Sequence, residues 1–197
     1  GSKPTISNGI LYVGFSDGSV VSLNAKTGTQ QWEITLNRNT RFKDIDSSPL
    51  IDGDALYINS YDDQLYCLSK NKGEILWKSP HGGSTTPLLL GDHLITTSSK
   101  GEILSLSKKD GSLVWKKKTT QGIYIDPASY KCLIVAAESQ GKVSILDPLT
   151  GEIKASFEPG RGVFSKPTVV SAKNLIYFVS GEGNVYGLKV KKKKNAS

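Results

Sequence analysis

Methionine is absent from the 197 residues, and cysteine and histidine occur only twice each. Without a methionine the chain does not begin at a natural initiator, and Gly1-Ser2 reads as a processing or cloning remnant. No signal peptide is visible, which says nothing about compartment. Cys67 and Cys132 stand 65 positions apart. That excludes a disulfide framework and any cysteine spacing suited to a metal. Both sit in apolar, strand-like runs, so buried free thiols are expected, although spacing alone leaves a disulfide open. His81 and His93 fall in no two-histidine zinc pattern. No Gly-x-Ser-x-Gly elbow, P-loop, strand-linked Gly-x-Gly-x-x-Gly or calcium loop occurs. Asp52-Gly53-Asp54 and Asp62-Asp63 read as hairpin turns, where acids are ordinary. No run approaches the ~18 apolar residues of a membrane-spanning helix. No helical period of useful length appears. Catalytic residues, metal ligands and cofactors are therefore all expected to be none.

What is present fits a folded domain. Hydrophobic residues make up 37% and charged residues 22%, which is too apolar for a disordered chain. The net charge is +7, and four of the positive charges are Lys191 to Lys194. A like-charged terminal block reads as a solvated, disordered tail over 191–197, with phosphate or lipid contact as the alternative. Lys108-Lys109 and Lys116 to Lys118 read as exposed turn and outer-strand residues. No aromatic residues interleave with these lysines, so nucleic-acid binding is not expected.

The main signal is an internal repeat. A proline opens a short apolar strand at Pro4, Pro49, Pro87, Pro127 and Pro167, at intervals of 45, 38, 40 and 40 residues. A tight turn follows at Gly18, Asp63, Gly101, Gly141 and Gly183, then a leucine at Leu23, Leu68, Leu106, Leu146 and Leu188. A second turn glycine falls at Gly28, Gly73, Gly111 and Gly151, and four residues on stand Trp32, Trp77 and Trp115, with Ala155 in the fourth repeat. Proline suits the first residue of a strand, where no ladder donor is needed. Glycine, or aspartate as at Asp63, supplies the positive φ of a tight hairpin. Tryptophan provides an apolar plate with one N–H, suited to filling the wedge between two twisted sheets and docking one repeat on the next.

Four short strands in about 40 residues is the signature of a propeller blade, and blades must stack to bury both faces. The expected fold is an all-β propeller over 1–190, with repeats at about 3–47, 48–85, 86–125, 126–165 and 166–190. The fifth repeat stops at Gly187-Leu188-Lys189-Val190, before any Gly-x-x-x-Trp segment, so it lacks its outer strand. An unpaired blade edge predicts self-association. A closed five-bladed ring and a fragment of a larger propeller are the other outcomes.

The segments Leu23 to Trp32 and Leu68 to Trp77 resemble the tryptophan-docking motif of the PQQ-like (quinoprotein-like) propellers. A narrower resemblance comes from Phe42-Lys43-Asp44-Ile45-Asp46-Ser47-Ser48-Pro49 and from the ending Gly183 to Leu188. Both are similar to the BamB family, lipoproteins of the bacterial machinery that assembles outer-membrane β-barrels. That resemblance implies a chain equal to the C-terminal five of eight blades, or a shortened relative, and a non-catalytic periplasmic scaffold associated with the outer membrane. It implies docking on POTRA domains of the central assembly protein and delivery of unfolded outer-membrane proteins. It places Asp44 and Asp46 on the docking surface. Residues 37–46 also form the longest link between repeats, and long loops on rigid scaffolds often bind partners. Arg41 and Lys43 lie in the same loop. From chemistry alone the two acids could equally cap a turn; the resemblance favours docking. Two alternatives share the fold: a sensor or interaction module of another protein, and a PQQ-dependent dehydrogenase. The dehydrogenases set an adjacent cysteine pair over their cofactor, and Cys67 and Cys132 are not adjacent.

Overall fold

The computed structural model describes residues 2–36 and 44–191. Each proline of the repeat stands immediately before a three-residue strand, where its missing N–H leaves no ladder bond unmade. Blade 1 contains β1 (Thr5–Ser7), β2 (Ile10–Gly14), β3 (Ser19–Asn24) and β4 (Gln30–Thr35). Blade 2 contains β5 (Leu50–Asp52), β6 (Ala55–Ser60), β7 (Gln64–Ser69) and β8 (Ile75–Ser79). Blade 3 contains β9 (Leu88–Leu90), β10 (His93–Thr97), β11 (Glu102–Ser107) and β12 (Leu113–Lys118). Blade 4 contains β13 (Ala128–Tyr130), β14 (Leu133–Ala137), β15 (Val143–Leu146) and β16 (Ile153–Phe157). Blade 5 has three strands, β17 (Thr168–Val170), β18 (Leu175–Val179) and β19 (Val185–Lys189). All neighbours are antiparallel and consecutive in sequence, so each blade is a meander. The connections between blades and the β2–β3 type of turn lie at one end of the strands. The β1–β2 and β3–β4 types lie at the other.

In blades 2 to 4 the two middle strands are buried on both faces, so alternate residues serve different neighbours. Leu56 and Ile58 pack toward Tyr12, Val20 and Trp32 of blade 1. Tyr57, Leu65 and Cys67 pack toward Leu94, Leu104 and Leu106 of blade 3. Each such side chain contributes about 1.5–3 kcal/mol by leaving water. Blade 5 buries Ile176 and Phe178 against blade 4, while Tyr177, Val179 and Val185 on its other face are exposed.

In blades 1 to 4 the register shifts by one residue at the same place, after Ser22, Cys67, Ser105 and Ile145. These bulges lie opposite Trp32, Trp77, Trp115 and Ala155 and re-aim the outer strand. Trp32 reaches the turn of blade 2, where its Nε1–H donates to the Lys70 carbonyl at 2.9 Å. Trp115 does the same to Pro148 of blade 4 at 2.8 Å. The ring faces lie on the turn glycines of the following blade. A Cβ added at Gly73 would stand 2.6 Å from Trp32, one at Gly111 2.7 Å from Trp77, and one at Gly151 2.8 Å from Trp115. These glycines also have φ near +70°. Blade 4 offers Ala155 instead, and Phe157, two residues on and on the same face, takes over. Its ring lies 5.3 Å from Tyr186 and 6.3 Å from Phe178 of blade 5.

Three expectations are corrected. Cys132 is not in a buried strand; β14 begins at Leu133, and Cys132 is exposed in the β13–β14 turn. Lys131 occupies the left-handed position of that turn (φ 55°), where blades 2 and 3 have Gly53 and Gly91. Cys67 is buried as expected, and both thiols are free. Gly141 does not have the positive φ of Gly18, Asp63, Gly101 and Gly183. It is required by crowding, because the buried Glu138 side chain folds over it and leaves no room for a Cβ. Lys108 is not a free surface lysine: it pairs with Asp52 at 3.1 Å and Asp92 at 3.4 Å.

Candidate docking surface

The connection from β4 to β5 is sewn onto the blade ends by alternation. The Asp44 carbonyl accepts the Tyr61 N–H at 3.0 Å. Ile45 turns inward, 1% exposed, and packs on Gly14, where any Cβ would collide with it. Its N–H donates to the Phe15 carbonyl at 3.2 Å. Asp46 is exposed. Ser47 is buried, donating to the Asn59 carbonyl at 3.0 Å and accepting the Asn59 N–H at 2.9 Å. Ser48 N–H donates to Thr86 Oγ1 at 3.2 Å, which ties the segment to blade 3 as well.

This arrangement sets Asp44 and Asp46 on either side of an inward anchor. Asp44 is half-buried and Asp46 stands in solvent. Tyr66 supports the same end from below. Its hydroxyl meets Asp62 Oδ2 at 3.2 Å and the Leu36 carbonyl at 3.4 Å. Burial, then the Asp62 carboxylate, pushes that phenol up to about 12, so it stays a donor at neutral pH. Arg41 and Lys43 lie outside the described residues, as do 192–197 of the basic tail.

Two residues of this surface were missed from sequence. Phe15 and Tyr61 are 45% and 48% exposed, and their main chains bond directly to the Asp44–Ile45 segment. The signal was available, since each is the first residue after the second strand of its blade. Acids flanked by exposed aromatic rings suit a basic and apolar partner surface.

A scan by family finds that the profile of the family described as outer membrane protein assembly factor BamB matches residues 1–117 and again 52–196. The chain belongs to the BamB family. BamB of Shewanella oneidensis is 28% identical over 182 residues, covering 88% of this chain and 46% of that protein. The chain thus spans less than half the length of that relative. The crystal structure of BamB from Moraxella catarrhalis superposes with a TM-score of 0.80 at 22% identity, covering 96% of this chain and 58% of that one. The five blades therefore have the fold of a BamB propeller. A quinoprotein ethanol dehydrogenase of Pseudomonas aeruginosa is also similar, 29% identical over 96 residues, which is 43% of this chain and 15% of that enzyme.

The dehydrogenase likeness implies a quinone held over paired thiols, and the residues here do not fit one. Cys67 is buried in β7 of blade 2 and Cys132 is exposed at a turn of blade 4. Among the described residues no group of three or more His, Cys, Asp or Glu side chains is placed to hold a metal ion. No described helix is long and apolar enough to cross a membrane.

Proposed function

We propose that this chain is a non-catalytic scaffold of outer-membrane β-barrel assembly, in the periplasm at the outer membrane. Its β4–β5 connection docks on POTRA domains of the assembly protein, and the propeller helps deliver unfolded outer-membrane proteins to them. Family membership supports the setting. The observation that carries the docking surface is the connection itself: Ile45 locks the segment down, and Asp44, Asp46, Phe15 and Tyr61 are grouped around it. A rigid presentation avoids the ordering cost that a free loop would meet on binding.

The test is isothermal titration of the full chain with the POTRA domains of its own organism. The doubly charge-reversed variant Asp44→Lys/Asp46→Lys should bind about tenfold more weakly at low salt, because each lost attraction becomes a repulsion. The difference should shrink as ionic strength rises. Equal affinity of variant and wild type would remove these acids from the interface.

A further inference from the structure

At the opposite end of the propeller the junctions between blades differ. At the junction of blades 2 and 3 the crevice between the turns is plugged by Lys108, held between Asp52 of one blade and Asp92 of the next. The equivalent lysine of blade 2, Lys70, stays on its own blade, donating to the Gly53 carbonyl at 2.6 Å. Aligned on the repeat, the three positions at the junction of blades 3 and 4 are Leu90, Pro148 and Cys132. A polar latch has been replaced at every position by an apolar or weakly polar residue. Pro148 keeps the carbonyl that Trp115 needs but has no side chain to reach across.

The consequence is an open cavity of about 540 Å³ between the turns of the two blades, lined by Leu90, His93, Cys132, Leu133, Pro148 and Leu149. Leu149 stands at it 62% exposed. The charged groups around the cavity are engaged elsewhere: Asp92 with Lys108, Asp147 with Lys154, and the Lys131 ammonium over the Tyr130 ring. His93 Nδ1 is turned to Ser105 at 3.0 Å. The volume falls within the range of small-molecule sites. A concave apolar floor inside a charged rim suits a compact group rather than a flat protein face.

We propose that the crevice between blades 3 and 4 is a binding site for a small uncharged aromatic or alicyclic molecule. It is separate from the docking surface, at the other end of the strands, and does not depend on it.

Cys132 is the built-in reporter. Cys67 is 2% exposed and burial pushes its thiol up to about 11, so it should be silent near neutral pH. Rates of Cys132 modification in the full chain by N-methylmaleimide and by N-phenylmaleimide are each divided by the rate with N-acetylcysteine. The normalised rate should favour the phenyl reagent about tenfold, because its ring is held in the crevice before reaction. It should also saturate with reagent concentration. Leu90→Asp with Pro148→Lys, which rebuilds the plug of the preceding junction, should abolish both effects. Equal normalised rates in the wild type would overturn the assignment, whether or not the variant folds. An undiminished preference in the folded variant would equally remove it from this crevice.

Discussion

Gly73→Ala is expected to destabilise the protein by about 3 kcal/mol, whereas Gly28→Ala, at the equivalent position of blade 1, should cost only about 1 kcal/mol. The two glycines share a backbone, with φ of 71° and 73°. Each therefore carries the same left-handed penalty when a Cβ is added. They differ in what the Cβ meets. At Gly73 it would stand 2.6 Å from the Trp32 ring; at Gly28 nothing lies within 4 Å. The difference isolates the blade-docking contact from the turn. Chemical denaturation of both variants measures it, and equal losses would mean that ring and turn are not in contact.

Trp32→Ala should be the most damaging single change at the first junction, about 3–5 kcal/mol from the lost plate and the cavity left behind. Trp32 is 9% exposed, lies 6.0 Å from the Tyr12 ring and shares a core with Leu56, Ile58 and Tyr66 of blade 2. Trp32→Phe keeps most of the plate and leaves the Lys70 carbonyl without its donor, a loss of about 1 kcal/mol. Repeat arrays lose stability interface by interface. Amide exchange should therefore accelerate in β1 to β4 of Trp32→Ala well before blades 3 to 5 respond. A uniform acceleration through all five blades would show a single cooperative unit instead.

These expectations could be drawn because the repeat encodes backbone requirements. Pro49 or Pro167 marks a strand start because proline is tolerated there and not in the ladder. Gly73 and Trp32 recur as a pair because one makes room for the other. The sequence was silent where a different residue meets the same need. Lys131 takes a glycine's left-handed position, so the run Lys131-Cys132-Leu133 reads as strand although its first two residues are turn. Phe157 replaces the missing fourth tryptophan from two positions away, a shift that preserves the face but breaks the spacing. Asp44 and Asp46 could be singled out as candidates from the sequence; Phe15 and Tyr61 could be placed just after the second strand of their blades, but only the assembled fold shows that those turns adjoin the β4–β5 connection. The crevice was hidden for a further reason. Its three residues come from the end of β9 and from two separate turns, and only the assembled blades set Leu90, Pro148 and Cys132 beside one another.

The two ends of the strands are proposed to do different work, with an acidic and aromatic docking surface at one and an apolar crevice at the other. The most direct measurement is hydrogen–deuterium exchange of the full chain with and without saturating POTRA domains. Slowed exchange is predicted at residues 44–49 and at Phe15 and Tyr61, with the turns at 52–54, 90–92 and 131–133 unchanged. Protection confined to those opposite turns, or none anywhere, would contradict the account.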